Sequence, residues 1–135
     1  MRNVMFAAFT LAIIGCSDQY AGRQELSGKV SLRGEAIKEG TISFDPLEGQ
    51  DTNGFGQILK GEFKIPRQNG VKTGRYRVRI SAGDGKTPAN SEAGAPGGST
   101  NIVSKELIPA EWNIRSNQEV TVVADRPNTL DFEIK

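Results

Sequence analysis

Hydrophobic and polar residues alternate along most of the chain after residue 25, in short runs separated by glycine, proline or asparagine. The clearest run covers residues 75–81, in which three apolar residues alternate with Arg75, Arg77 and Arg79. Such an alternation places the apolar residues on one face of a half-buried strand. No segment shows sustained helical periodicity. Close spacing of these runs and turns predicts an all-β fold, an antiparallel β-sandwich of seven to eight strands. The other runs lie at 26–33, 41–44, 55–59, 62–65, 119–124 and 129–134.

The first fifteen residues have a different pattern, because a basic residue precedes one continuous apolar stretch. Arg2 is followed by the apolar residues 4–14, which only Thr10 interrupts. A helix needs about 20 residues to cross a bilayer, so this stretch is too short to span one. Its length and its basic start are typical of a secretory signal peptide.

The apolar stretch ends in Ile13-Ile14-Gly15-Cys16, which resembles the lipobox of bacterial lipoprotein precursors. In that motif a small residue precedes the cysteine, whose thiol receives a diacylglycerol before the peptidase cuts. A thiolate is a suitable nucleophile for forming the thioether. The resemblance therefore implies cleavage between Gly15 and Cys16 and lipidation of Cys16 with acyl chains such as palmitate. The alternative is a structural cysteine that follows the start of an apolar helix.

These patterns divide the chain into three parts. We expect a lipoprotein signal peptide at 1–15, a lipidated tether at 16–24 and a β-sandwich domain at 25–135. The domain contains a long loop, 83–104, rich in glycine and proline, which is either flexible or functional. The expected location is the cell envelope, with the exported protein anchored in a membrane by its lipid and facing the periplasm or the surface.

Composition excludes several kinds of function. The 17 basic and 16 acidic residues give no basic excess for binding nucleic acid. The chain has no histidine and one cysteine, which excludes Ser-His-Asp and Cys-His catalysis and most zinc sites. Ser104 and Lys105 are adjacent, and in a strand they would face opposite ways. We therefore expect no enzyme activity, no cofactor and no metal.

Two features allow a binding role beside a structural one. Trp112, the single tryptophan, is suited either to stack on a sugar ring or to plug one end of the sandwich. Asp45, Glu48 and Asp51, near Asn53, provide oxygen atoms of the kind that hold calcium, but their spacing does not match an EF-hand. A solvated turn is the simpler interpretation of the acidic cluster.

The three arginines of the run 75–81 form a basic stripe on one strand face. Guanidinium groups suit the carboxylates and phosphates of an anionic glycan or a lipid headgroup. The alternative is a solvated sheet face paired with acidic cross-strand neighbours such as Asp131 and Glu133. If their strand lies alongside, Lys60 and Lys64 extend the stripe.

Several glycine-bearing motifs occur in an order that resembles carboxypeptidase regulatory-like domains, which are transthyretin-like β-sandwiches. A later segment, Ile108-Pro109-Ala110-Glu111-Trp112-Asn113, is similar to one found in small lipoproteins abundant in planctomycete bacteria. The resemblance implies this fold and an envelope location, but no defined activity. Transthyretin-like enzymes depend on histidines, which this chain lacks. The motifs are Gly28-Lys29-Val30 with Gly34, Gly40-Thr41-Ile42-Ser43-Phe44, Gly61-Glu62-Phe63-Lys64-Ile65 and Gly74-Arg75-Tyr76-Arg77-Val78-Arg79-Ile80.

Together these observations predict a non-catalytic envelope lipoprotein with a structural, adhesive or protein-interaction role. Its expected partners are the membrane, through its lipid, and an envelope protein or glycan. One alternative is a carbohydrate-binding module that uses Trp112 and the loop 83–104. The other is a subunit of an export or surface-layer assembly, which would bind through an exposed strand edge by β-augmentation.

Overall fold

The computed structural model describes residues 18–85 and 105–135. The expected signal peptide, Gly15, Cys16 and most of the loop 83–104 lie outside these described residues. The described part contains nine strands and two 3₁₀ turns, Arg67–Asn69 and Ala110–Trp112. The expected all-β, antiparallel, sandwich-like fold is confirmed. The strands are β1 (Leu26–Leu32), β2 (Glu35–Ala36), β3 (Glu39–Pro46), β4 (Gly54–Leu59), β5 (Glu62–Ile65), β6 (Gly74–Ser81), β7 (Glu119–Val122), β8 (Asn128–Thr129) and β9 (Phe132–Ile134).

The strands form one sheet that curls into a half-barrel, in the order β2-β1-β5-β4-β3-β6-β7. Neighbours along this path are antiparallel. Off this path, β8 and β9 pair in parallel with β1. The last strands of the chain therefore return to the first, and the two edges of the curled sheet approach each other.

The core fills the inside of this curl. Its centre is a row of aromatic rings from Phe44 through Phe63 to Phe132, with ring centroids 6.0 and 6.3 Å apart. Trp112 continues the row and meets Phe132 edge-on at 6.1 Å. Alternate residues of the strands supply the remaining buried side chains, as the hydrophobic pattern predicts. They include Leu26, Val30, Ile42, Ile58, Ile65, Tyr76, Val78, Ile80, Val122 and Ile134.

The predicted strand at 119–124 is shorter in the structure and ends at Val122. The next residue, Val123, has both of its main-chain groups bound by one side chain. Its N–H donates to Asn128 Oδ1 at 2.9 Å, and its carbonyl accepts from Asn128 Nδ2 at 2.8 Å. Asn128 also pairs with Leu26 of β1. This side chain therefore replaces a strand partner and ties one edge of the sheet to the other.

The predicted strand at 129–134 is divided into β8 and β9. At the break, the Lys29 N–H donates to Asp131 Oδ1 at 2.9 Å, so a side chain supplies an acceptor that a neighbouring main chain would normally provide. The Leu130 N–H donates to the Ser27 carbonyl at 2.8 Å and holds the chain beside β1. The alternation of side chains continues across the break, since Phe132 and Ile134 remain buried.

The two ends of the half-barrel carry different segments. The end called here the N-terminal end contains residues 18–25 and the connections 47–53, 66–73 and 123–127. The opposite end, called the loop end, contains the turns 33–34 and 60–61 and the root of the connection that follows β6. The loop 83–104 begins at the loop end, on the far side of the domain from residue 18.

Candidate functional site

Residues 18–24, which we expected to be part of a tether, lie against the domain. Gln24 forms a bridge with Val71: each N–H donates to the other's carbonyl, at 2.7 and 3.3 Å. Arg23 Nη1 donates to the carbonyls of Gln68 at 3.1 Å and Gly70 at 3.4 Å. We call this contact of residues 18–24 with residues 67–71 the N-terminal clamp.

Two further features hold the clamp. Arg67 Nη2 lies 2.6 Å from Asp18 Oδ2, which fastens the first described residue to the 3₁₀ turn Arg67–Asn69. A Cβ on Gly70 would lie 2.0 Å from the Gln24 carbonyl oxygen, so no larger residue allows this approach. The sequence did not reveal the clamp because its partners are more than 40 residues apart and form no local motif.

Behind the clamp, the buried Tyr76 of β6 joins two connections of the N-terminal end, 47–53 and 66–73. The Tyr76 hydroxyl donates to the Lys72 carbonyl at 2.9 Å and lies 3.2 Å from Thr52 Oγ1. Thr52 Oγ1 accepts the Lys72 N–H at 2.9 Å. Because Tyr76 and Thr52 are buried, these bonds satisfy polar groups that would otherwise destabilise the fold.

The acidic residues considered for calcium are dispersed among cationic partners. No group of three or more histidine, cysteine, aspartate or glutamate side chains in the described ranges is arranged to hold a metal ion. Each of the three carboxylates instead lies beside a basic side chain. The pairs are Asp45–Arg79 at 2.6 Å, Glu48–Arg75 at 3.1 Å and Asp51–Lys72 at 2.9 Å.

Two of these pairs change the acidity of the carboxylates. Hydrogen bonds from the main-chain N–H and the guanidinium of Arg75 lower the pKa of Glu48. A hydrogen bond from the Lys72 ammonium lowers the pKa of Asp51. Both carboxylates are therefore held in the charged form, as members of ion pairs.

The arginine stripe lies on β6, between β3 and β7, and acidic residues of adjoining segments neutralise much of it. Besides Glu48, Arg75 contacts Glu119 of β7 at 3.5 Å. The contact between Arg79 and Asp45 is an ion pair without hydrogen-bond alignment. Arg77 lies between the other two arginines, and its buried Nε has no hydrogen-bond partner among the described residues.

The cross-strand neighbours suggested by the sequence for this stripe are wrong. Asp131 and Glu133 lie near β1, on the other edge of the sheet. Lys64 belongs to β5, which two strands separate from β6, and it pairs with Glu25 at 3.4 Å. Lys60 lies in the turn between β4 and β5. The lysines therefore do not extend the stripe, because the strand order places them elsewhere.

Trp112 lies at the loop end, in a 3₁₀ turn that follows Pro109. Its ring is partly buried, packs against the core and meets Phe132 of β9 edge-on. The turn also contacts β6. The ring therefore helps to close the gap between β6 and β9. A sugar-binding role for Trp112 remains a prediction.

The root of the loop 83–104 is closed by main-chain pairing. Gly83 and Glu106 form a bridge, and the Leu107 N–H donates to the Ala82 carbonyl at 2.8 Å. Glu106 Oε1 accepts the N–H groups of Ala82 at 2.9 Å and Ile108 at 3.0 Å. Beside this root is a pocket of about 430 Å³, whose apolar lining comes from Leu32, Ala36, Ile37, Ala82 and Leu107.

An open groove of about 1060 Å³ lies on the outer face of the sheet, across β1, β4 and β5. Two apolar side chains of β4 border it, Phe55 with 61% and Leu59 with 53% of their surface exposed. Phe55 is the one exposed aromatic residue in the described part of the chain. Polar lining side chains provide hydrogen-bonding groups of both kinds, and they include Ser27, Lys29, Gln57, Glu62, Lys64, Thr129 and Asp131.

Sequence reasoning did not identify this groove. The run 55–59 alternates apolar residues with glycine and glutamine in a way that does not determine which face is buried. The structure gives the reason for the outward orientation of Phe55. A Cβ on the neighbouring Gly56 would lie 2.9 Å from Ile65, so the inner face has no room for an aromatic ring beside it.

Comparison with known proteins does not assign the chain to a family: no protein-family model matches it, and no curated protein does. The resemblance to carboxypeptidase regulatory-like domains therefore remains a prediction. Within residues 18–85 and 105–135, no helix is long and apolar enough to cross a membrane.

Proposed function

We propose that the protein is an exported envelope lipoprotein, attached to a membrane by lipid on Cys16, whose β-domain binds a partner without catalysis. The observation that carries the proposal is the apolar stretch ending at Gly15-Cys16, directly before a folded domain. A lipid on Cys16 would be only two residues from Asp18, where the N-terminal clamp begins. The resemblance to small lipoproteins with a transthyretin-like fold supports the same interpretation.

The arrangement of polar side chains supports a non-catalytic role. The chain has no histidine, and the acidic residues of the N-terminal end lie in ion pairs. The buried hydroxyls of Thr52 and Tyr76 are used in hydrogen bonds that hold the fold. Binding surfaces, by contrast, are present: the open groove on the outer face and the pocket at the loop end.

Replacing the cysteine tests the attachment. We expect the wild-type precursor, expressed in a bacterial host, to lose residues 1–15 and to sediment with the membranes. Cys16→Ser should either stay uncut or appear in the soluble fraction, whereas the control Ser17→Ala should behave as wild type. A Cys16→Ser protein that is cut and remains membrane-bound would contradict lipid attachment.

For the partner, a second proposal is that the groove binds a glycan, with Phe55 as the stacking residue in place of Trp112. The exposure of Phe55 on the outer face of the sheet favours this assignment, because an aromatic ring stacks on the apolar face of a sugar. Gln57 and Lys64 lie on adjacent strands of the same groove and supply donors for sugar hydroxyls. A few polar groups around an apolar contact are typical of ligand sites.

Titration with solubilised envelope polysaccharide tests the assignment of Phe55 as the stacking residue. We expect Phe55→Ala to weaken binding about tenfold, corresponding to the loss of a contact worth roughly 1.4 kcal/mol. The matched control is Ile114→Ala, which removes a side chain that is 80% exposed outside the groove. Equal affinity of wild type and Phe55→Ala would exclude the groove as the glycan site.

A further inference from the structure

We propose that the N-terminal clamp orients the domain on the membrane, with its N-terminal end against the lipid headgroups and its loop end directed away. This inference rests on the proposed lipid attachment and adds a membrane-contacting surface to it. That surface consists of the clamp and the connections 47–53 and 123–127. Its partner is the headgroup layer of the bilayer in which the lipid of Cys16 is inserted.

The chain between the lipid and the clamp is short. Cys16 and Asp18 are two residues apart, and an extended chain spans at most about 3.6 Å per residue, so their Cα atoms are within about 7 Å. The headgroup region of each leaflet is about 5–8 Å thick, half the difference between a hydrocarbon core of about 30 Å and a full bilayer of 40–45 Å. Asp18 therefore cannot leave the neighbourhood of the headgroups.

A free tether would not hold the domain in one orientation at the membrane. If residues 16–24 were all unattached, the nine-residue connection to Glu25 would reach about 32 Å. This exceeds the length of an eight-residue strand such as β6, about 26 Å at 3.3 Å per residue. The domain would then rotate freely at the membrane. The clamp removes this freedom because Arg23, Gln24 and Asp18 are bound to the domain itself.

The charges of the N-terminal end fit a surface held close by its anchor. Asp18 pairs with Arg67 and Asp51 with Lys72. Asp125 and Arg126, both exposed, balance each other in the connection 123–127. With Arg23 and Glu48 included, residues 18–24 and the connections 47–53, 66–73 and 123–127 carry four basic and four acidic side chains. Because these charges cancel, the surface needs no anionic lipid, and contact depends on the covalent anchor. The loop end, with the pocket beside Leu107, then faces away from the bilayer, where a partner can reach it.

The single native cysteine makes this orientation measurable. When Cys16 carries the lipid, an introduced cysteine is the one free thiol. We would express the full precursor as Asp125→Cys or Lys135→Cys, which place the thiol at the N-terminal end and the loop end. The matured proteins, labelled with a fluorophore, are inserted into phosphatidylcholine vesicles that contain a lipid with a nitroxide on its headgroup. The label at position 125 should lose most of its emission, and the label at 135 little.

Breaking the clamp should remove this difference while leaving the protein on the vesicles. Gly70→Ala places a methyl group against the Gln24 carbonyl. Arg23→Ala, a milder second variant, loses two hydrogen bonds to main-chain carbonyls. The control Gln68→Ala keeps the carbonyl that Arg23 uses. In the two clamp variants the labels at both positions should be quenched to a similar, intermediate extent, with unchanged circular dichroism.

Different results would overturn the lipid attachment, the orientation and the role of the clamp. Labelled protein that does not float with the vesicles would overturn the lipid attachment, and the orientation with it. Vesicle-bound protein whose labels at 125 and 135 are quenched equally would overturn the orientation alone. If the difference persists in folded Gly70→Ala and Arg23→Ala, the clamp is not what orients the domain.

Discussion

The N-terminal end and the loop end of the half-barrel are closed in different ways. At the N-terminal end, side-chain bonds hold the connections in place. Asn128 binds Val123 and Tyr76 binds Lys72 within a few residues of chain, whereas Asp18 binds Arg67, which is 49 residues away. At the loop end, one short turn places Trp112 against the core, and a pocket lined by other residues stays open. The comparison indicates that the N-terminal end is built to be held in place, whereas the loop end leaves a surface available.

Removing Trp112 should have the largest effect on stability and should affect the loop end. Trp112→Ala opens the gap between β6 and β9. We expect it to lower the free energy of unfolding by about 3 kcal/mol. This value is at the low end for truncating a core aromatic residue, because the ring is partly exposed. Urea unfolding followed by circular dichroism measures this. Ile114→Ala, two residues away and 80% exposed, should change it by less than about 0.5 kcal/mol. Wild-type stability of Trp112→Ala would show that the ring does not close this end.

Removing Asn128 should lower the stability of the N-terminal end, by less than the loss of Trp112 lowers the stability of the loop end. Asn128→Ala removes both bonds to Val123 and leaves its main-chain groups without their partner. We expect a loss of about 2 kcal/mol, typical of leaving polar groups unsatisfied. Asn69→Ala, an exposed asparagine at the same end, serves as the control in the same urea experiment. If Asn128→Ala, like Asn69→Ala, unfolds at the same urea concentration as wild type, the two edges of the sheet are not joined through Asn128.

Acidification should lower the stability that ion pairs give to the N-terminal end, and this is the smallest of the three expected effects. The folded-state pKa of Glu48 is lowered from its ordinary value of 4.5, and that of Asp51 from 3.8. Their ion pairs therefore contribute stability that is complete above these values and is lost as the pH falls through the lower folded-state pKa values. In thermal unfolding below pH 4.5, Glu48→Gln should lose less stability on acidification than wild type. In the control Glu133→Gln, on β9, the unfolding temperature should fall with pH as steeply as in wild type. An equally steep fall in Glu48→Gln would contradict a stabilising role for the Glu48–Arg75 ion pair.

Features set by neighbouring residues were predictable from the sequence. β6 was evident because Tyr76, Val78 and Ile80 alternate with arginines, and the structure buries these three residues. Contacts between distant segments were not predictable. The partners of the arginine stripe depend on a strand order that local patterns do not specify. Likewise, the division between β8 and β9 depends on Asp131 binding Lys29, about 100 residues away.

The candidate surfaces also depend on contacts between distant segments, which the sequence did not predict. Trp112 stood out because it is the single tryptophan, but its place in the core row depends on Phe132, which is 20 residues further along the chain. Phe55 was an unremarkable member of a weak strand until Gly56 and Ile65 were seen to fill the inner face. The clamp required the approach of Gln24 to Gly70, for which the sequence carries no local motif.

Mass spectrometry of the membrane-bound protein shows whether Cys16 carries the anchor directly in front of the clamp. We expect an N-terminal peptide that begins at Cys16 and carries a diacylglyceryl group on the thiol. We also expect a protein shortened by residues 1–15. A protein that retains Met1 and an unmodified Cys16 thiol, recovered from the soluble fraction, would contradict it.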